Sequence, residues 1–196
     1  MIKTAWLQYK PVAEFPETYT SVIQSWDTAS KVSEIADYSV CTTWGIKDKE
    51  IYLLNVWRQR VEFPDLKRAV IDLCQQYEPT KIIIEDKSSG ISLLQDLKQA
   101  NIYQAVARKP EGDKKMRLHE QSILFESGQI FLPDKAPWLA DFVTELTSFP
   151  ACKHDDQVDS ATQALAEIRQ LLDEPSGACW AYHKMMYEEK MRTEGR

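Results

Sequence analysis

Between residues 63 and 108 the chain alternates between two apolar periods, and this alternation restricts its fold more than any other feature. In "FPDLKRAVIDLCQQYEP", Leu66, Val70, Leu73 and Tyr77 recur at helical spacing, and Pro79 closes the segment. "KIIIED" then reads as a strand sunk in a core. "SSGISLLQDLKQAN" returns to the helical period, with Leu93, Leu94 and Leu97 on its buried side, and "IYQAVAR" reads as another strand. Helices that separate strands in this way imply parallel pairing within one sheet.

The flanking segments complete the pattern. "YTSVIQSWD" reads as a strand ending at Asp27, followed by a polar stretch over 28–37. "DYSVCTTWGI" is a second strand, with Val40, Thr42 and Trp44 on one face. "KDKE" is a turn into "IYLLNVWRQR", so these strands are expected as antiparallel hairpins. Downstream, 113–127 reads as a helix, "GQIFLP" as a short edge strand, and "PWLADFVTELTSF" as a helix opened by Pro137. In "HDDQVDSATQALAEIRQLL", Val158, Ala161, Leu165, Ile168 and Leu172 mark the buried stripe of the last strong helix. The expected fold is α/β: a mixed five-stranded sheet with helices on both faces. Residues 21–173 form the domain, 1–20 an extended lead-in, and 174–196 a tail rich in Met, Tyr and Lys/Glu. The tail reads either as an amphipathic partner-binding helix or as a frayed or self-packed end.

Composition narrows the function classes. No apolar run is long enough to span a bilayer, and no secretory signal opens the chain. Cys41, Cys74, Cys152 and Cys179 are scattered without zinc-ligand spacing and read as reduced thiols of a cytoplasmic protein. The net charge of -6 is unlike the basic footprint of most nucleic-acid binders. Positive charge is nevertheless concentrated in "RKPEGDKKMR", residues 108–117, where five cations stand against two anions.

Three acidic sites stand out by position. Asp27 ends one strand, Glu85 ends another, and Asp155, Asp156 and Asp159 open the last helix. If the two strands are neighbours, Asp27 and Glu85 lie roughly 5 Å apart. Carboxylates about 4 Å apart repel by on the order of 4 kcal/mol at an effective dielectric near 20, so they bind protons or share a cation. Oxygen-only ligands favour Mg²⁺ or Mn²⁺. Two such ions about 3.5–4 Å apart suit in-line displacement at phosphorus. Each part also has a plainer reading: acids at a helix start complement its dipole, and acids at strand ends serve turns. Asp159 is a neighbour of both Asp155 and Asp156 on the helix surface, so spacing favours it as the shared neighbour but does not choose between Asp155 and Asp156.

"QSWDTA", "IIIEDKSSG", "GDKKMR" and "HDDQVDSATQAL", in this order, resemble the nuclease domain of large terminase subunits from tailed bacteriophages. The resemblance covers roughly residues 20–170. It implies an RNase H-like fold and a metal-dependent endonuclease that cuts double-stranded phage DNA during packaging with two Mg²⁺ or Mn²⁺ ions. It assigns catalysis to Asp27, Glu85 and Asp156, with Asp155 or Asp159 assisting at the metal. It assigns phosphate contact to Lys114, Lys115 and Arg117. Asp37, Asp86 and Lys87 are expected to support these groups, and His154 to serve helix entry. The implied setting is the host cytoplasm. The implied partners are a terminase ATPase domain, the small terminase subunit and the portal protein. No G-x-x-x-x-G-K-[ST] motif occurs, so the expectation is a nuclease domain parted from its ATPase, with 1–20 descending from the interdomain linker. "DQVDSATQAL" also resembles the D-x-x-D helix of Holliday-junction resolvases. A resolvase, an RNase H-type nuclease and a non-catalytic docking domain are therefore the rival readings.

Overall fold

The computed structural model describes residues 1–29, 38–86, 88–109 and 112–173. Asp37, Lys87, Cys179 and the tail lie outside them. Seven strands form one sheet: β1 (Gln8–Lys10), β2 (Ser21–Asp27), β3 (Ser39–Lys47), β4 (Glu50–Gln59), β5 (Lys81–Glu85), β6 (Ala105–Arg108) and β7 (Ile130–Pro133), in the order β1-β7-β4-β3-β2-β5-β6. The helices are α1 (Phe63–Tyr77), α2 (Ser88–Gln99), α3 (Lys114–Glu126), α4 (Leu139–Ser148) and α5 (Asp156–Asp173).

The isoleucines of β5 are 0%, 1% and 0% exposed because both faces of this parallel strand are covered. Ile82 and Ile84 join Trp26, Leu66, Val70 and Leu93 beneath α1 and α2, whereas Ile83 joins Ile23, Val40, Trp44 and Leu165 beneath α5. Each such side chain contributes about 1.5–3 kcal/mol by leaving water. Trp26 packs against Trp57, with ring centroids 5.3 Å apart, on the face opposite Asp27. Of the expected α5 stripe, Val158, Ala161, Leu165 and Ile168 are buried and Leu172 is half-buried.

The expected hairpin is present. β2 pairs antiparallel with β3 and β3 with β4, and Asp48 and Lys49 turn the chain with φ of 49° and 69°. β2 pairs parallel with β5, and β5 with β6.

The five-strand expectation is corrected to seven. The segment expected as an edge strand, β7, pairs with β4 on one side and β1 on the other. Within residues 1–20, β1 forms the true edge, and Ile2 and Leu7 are buried in the core beneath α5. Cys41, Cys74 and Cys152 are free thiols. No helix among the described residues is long and apolar enough to cross a membrane.

Candidate active site

Strand register brings the first two acids together. Trp26 is paired with Ile84 across β2 and β5, so Asp27 and Glu85 follow side by side. The alternation that points Trp26 and Ile84 at α1 and α2 turns both acids toward α5. They are only 6% and 8% exposed.

A buried serine sets α5 against these strand ends. Ser160 Oγ donates to the Ser25 carbonyl at 2.8 Å and accepts from Thr42 N–H at 3.1 Å. Gln163 Nε2 donates to Ser25 Oγ at 2.9 Å. These bonds hold the first turns of α5 over β2 and β3. The N-terminus of α5 presents backbone donors that lack partners within the helix. Glu145 of α4 meets them, accepting from Gln157 N–H at 2.7 Å, Val158 N–H at 3.2 Å and Gln157 Nε2 at 2.6 Å. Arg58 stands 3.8 Å from the same carboxylate and stacks over the Tyr38 ring. His154, at the helix entry, packs edge-on against Tyr38 at 5.4 Å between ring centroids.

Burial raises the pKa of Glu145, although its hydrogen bonds and Arg58 oppose the shift. Glu145→Ala is expected to cost about 2–4 kcal/mol in urea unfolding, because three donors and a half-buried Arg58 lose their acceptor. The folded-state pKa lies above the unfolded one. The Glu145 contribution to stability therefore falls as pH rises from the ordinary carboxylate range through the raised value. Glu145→Gln removes that part of the slope.

The third acid comes from α5. Asp159 is 9% exposed and shares a cavity of about 720 Å³ with Asp27 and Glu85. Asp156 is equally buried but is not among the residues lining that cavity. Spacing favours Asp159 as the shared neighbour without choosing between Asp155 and Asp156, and the motif favours Asp156, whereas the cavity is lined by Asp159 with Asp27 and Glu85. Burial raises the pKa of Asp159, and the neighbouring Asp27 adds to the shift, while Lys114 and Arg117 oppose it.

The segment "GDKKMR" lies against these acids. Gly112 has a φ of 72°, which suits glycine, and Asp113 caps α3 by accepting from Lys115 N–H at 2.8 Å. The first turn of α3 then sends Lys114 to Asp155 at 2.8 Å and Asp159 at 2.6 Å. Arg117 reaches Asp159 at 2.7 Å. Burial lowers the pKa of Lys114, but bonds to Asp155 and Asp159 outweigh this and raise it overall, so Lys114 stays charged. Lys115 is exposed, with its backbone used in the cap. Asp86 is exposed too, its N–H donating to the Arg108 carbonyl at 2.9 Å.

As arranged, no three acid, histidine or cysteine side chains among the described residues stand close enough to hold a metal ion. Asp27, Glu85 and Asp159 line one cavity, and Lys114 and Arg117 pair with Asp159. The donor set still fits a divalent cation. Three carboxylates, which are hard oxygen ligands, line one cavity at low exposure.

Sequence reasoning missed Ser160, Gln163, Glu145 and Arg169, the last of which lines the cavity with Arg108 and Lys109. A signal existed for Glu145. It falls three residues after Phe142 and one before Leu146 on the buried stripe of its helix, where a carboxylate implies a buried partner.

Known proteins share this architecture. The large terminase from one thermophilic bacteriophage superposes with a TM-score of 0.63 at 14% identity, over 82% of this chain and 42% of that one. The present chain thus spans less than half of that protein. The large terminase nuclease from thermophilic phage G20c with bound cobalt gives a TM-score of 0.63 at 17% identity, over 83% of this chain and 93% of that one. The same nuclease with bound zinc gives 0.61 at 19% identity, over 83% and 94%. Comparison with curated protein sequences finds no match. The family model described as the terminase RNase H-like domain matches residues 24–167. With most of its length matched, and with the acids at the strand ends where the motifs put them, the chain belongs to the terminase RNase H-like domain family.

Proposed function

We propose that this domain is a divalent-metal-dependent endonuclease that hydrolyses double-stranded phage DNA during genome packaging. The observation that carries the reading is the placement of Asp27 and Glu85, buried side by side at adjacent strand ends, with Asp159 lining the same cavity. The G20c nuclease, which shares the fold, has been described with bound cobalt, magnesium and zinc, and this supports a divalent ion here.

Asp27, Glu85 and Asp159 would hold the ions, with Asp155 and Asp156 in reserve on the same turn. Mg²⁺ or Mn²⁺, two per site, suits this oxygen-only set. When bound, the ions supply charge neutralisation and Lewis acidity at the phosphodiester. The protein side chains do the rest. The strand ends fix two carboxylates with little freedom to move. Arg117 keeps Asp159 aimed into the cavity, and Lys114, once released from Asp155 and Asp159, would be free to meet a phosphate. Lys115 extends that basic edge outward. The setting is the bacterial host cytoplasm, with the terminase ATPase domain, small subunit and portal protein as partners.

Incubation of supercoiled plasmid with the protein and Mg²⁺ or Mn²⁺ is expected to give nicked and linear products, and none in EDTA. Intact plasmid at every ion concentration would remove the reading. Linear duplex, four-way junction and RNA–DNA hybrid, assayed side by side, distinguish a packaging nuclease from a resolvase or an RNase H-type enzyme. Titration with Mn²⁺ is expected to raise the unfolding midpoint, by about 2.7 kcal/mol of stabilisation at 100 times Kd. A non-catalytic docking domain would show no such shift.

A further inference from the structure

Glu167 is a buried carboxylate that stands apart from the acid cluster. It follows Asp159 by two turns of α5, which places it about 12 Å further along the helix. It is 8% exposed. Its Oε1 accepts from Lys81 Nζ at 2.6 Å, and its Oε2 from Arg108 Nη1 at 2.7 Å. Lys81 opens β5 and Arg108 closes β6, so one carboxylate ties α5 to two strands.

Arg108 makes this group more than a strut. It is paired with Glu85 in the register of β5 and β6, and its side chain lines the cavity shared by Asp27, Glu85 and Asp159. Two cations meet one carboxylate here, so one positive charge remains uncompensated within the group. A planar guanidinium offers five donors in a fixed fork, and Glu167 takes the bond from Nη1. The other donors of the fork are not used by that bond.

We infer that Arg108 binds a backbone phosphate of the nucleic-acid strand lying across the acid cluster, and that Glu167 is the residue that positions it. This rests on the nuclease reading above. A strand following α5 advances about 3.4 Å per nucleotide, so the seat near Glu167 takes a phosphate about three or four nucleotides from the cut. The contact is to the backbone, so it carries no base preference.

The test uses a fluorescein-labelled duplex, with binding followed by anisotropy in EDTA over a series of salt concentrations, and cleavage followed in Mg²⁺. Arg108→Gln is expected to weaken binding about tenfold and to reduce the log–log salt slope by about 0.9. Most of its loss in kcat/KM is expected in KM, because the contact is made before and during reaction alike. Glu167→Gln separates positioning from charge. Removing a negative group strengthens DNA binding if Glu167 acts only through its charge, and weakens it if Glu167 aims Arg108. Weaker binding with an unchanged salt slope is expected, since Arg108 keeps its charge. Arg108 is partly exposed, so its variant reports on binding even where Glu167→Gln lowers stability. A wild-type protein that cuts DNA, beside an Arg108→Gln variant with unchanged Kd and slope, overturns the inference alone. A wild-type protein that neither binds nor cuts overturns the nuclease reading and this inference with it.

Discussion

Asp27→Asn and Glu85→Gln are each expected to lower plasmid cleavage by about 10³-fold in saturating Mg²⁺, without loss of folded protein. Each replacement keeps the side-chain shape while removing one charge from an ion site. The two acids are adjacent and nearly buried at the strand ends, so each exchange alters one candidate ion ligand with little change in packing. The ion-free variants are expected to keep a cooperative unfolding transition, while the midpoint gain on adding Mn²⁺ disappears. Lost activity, retained fold and lost ion response together separate a broken site from a broken protein. Undiminished cutting by both variants would refute the proposed chemistry.

The second large effect is structural in origin. Gly90 lies in the first turn of α2, where the chain doubles back over the end of β5. A Cβ at this position would stand 2.2 Å from the Glu85 carbonyl oxygen and 3.0 Å from Ile84 Cγ2. The nearer contact is with backbone, which has no rotamer by which to yield. Gly90→Ala therefore drives α2 away from the strand end that carries Glu85. The expected cost is about 3 kcal/mol in urea unfolding. Cleavage is expected to fall about 10²-fold, since a displacement of about 1 Å at a reacting group suffices for that. Wild-type stability and rate in this variant would show that α2 adapts without disturbing Glu85.

Much of this arrangement was legible in the sequence, and the rest was hidden for definable reasons. Alternating periods over residues 63–108 announce the parallel strands because buried strands and amphipathic helices leave different spacings. Asp27 and Glu85 stood out because each closes a strand within one of four motifs that occur in order, although an acid at a strand end by itself equally serves a turn. β1 was not legible, since three residues are too few to display a period and their pairing with β7 joins segments more than a hundred residues apart. The place of β7 inside the sheet was lost for the same reason. The helical wheel favoured Asp159 only as the shared neighbour of Asp155 and Asp156, and the motif favoured Asp156. Which of them lines the cavity depends on tertiary contacts that spacing does not carry: Ser160 anchors the helix beside Asp159, and Asp159 faces the cavity with Asp27 and Glu85.

The position of β1 has a practical consequence. It occupies the sheet margin four strands away from β2, about 19 Å across at ordinary strand spacing. Tyr9 and Val12, 46% and 57% exposed, offer attachment points for a fluorophore or surface tether that would leave the cutting end unobstructed. Deleting the first twenty residues to obtain a tidier recombinant fragment would uncover the hydrogen-bonding row of β7 and the apolar neighbours of Ile2 and Leu7, and so yield a product prone to clump.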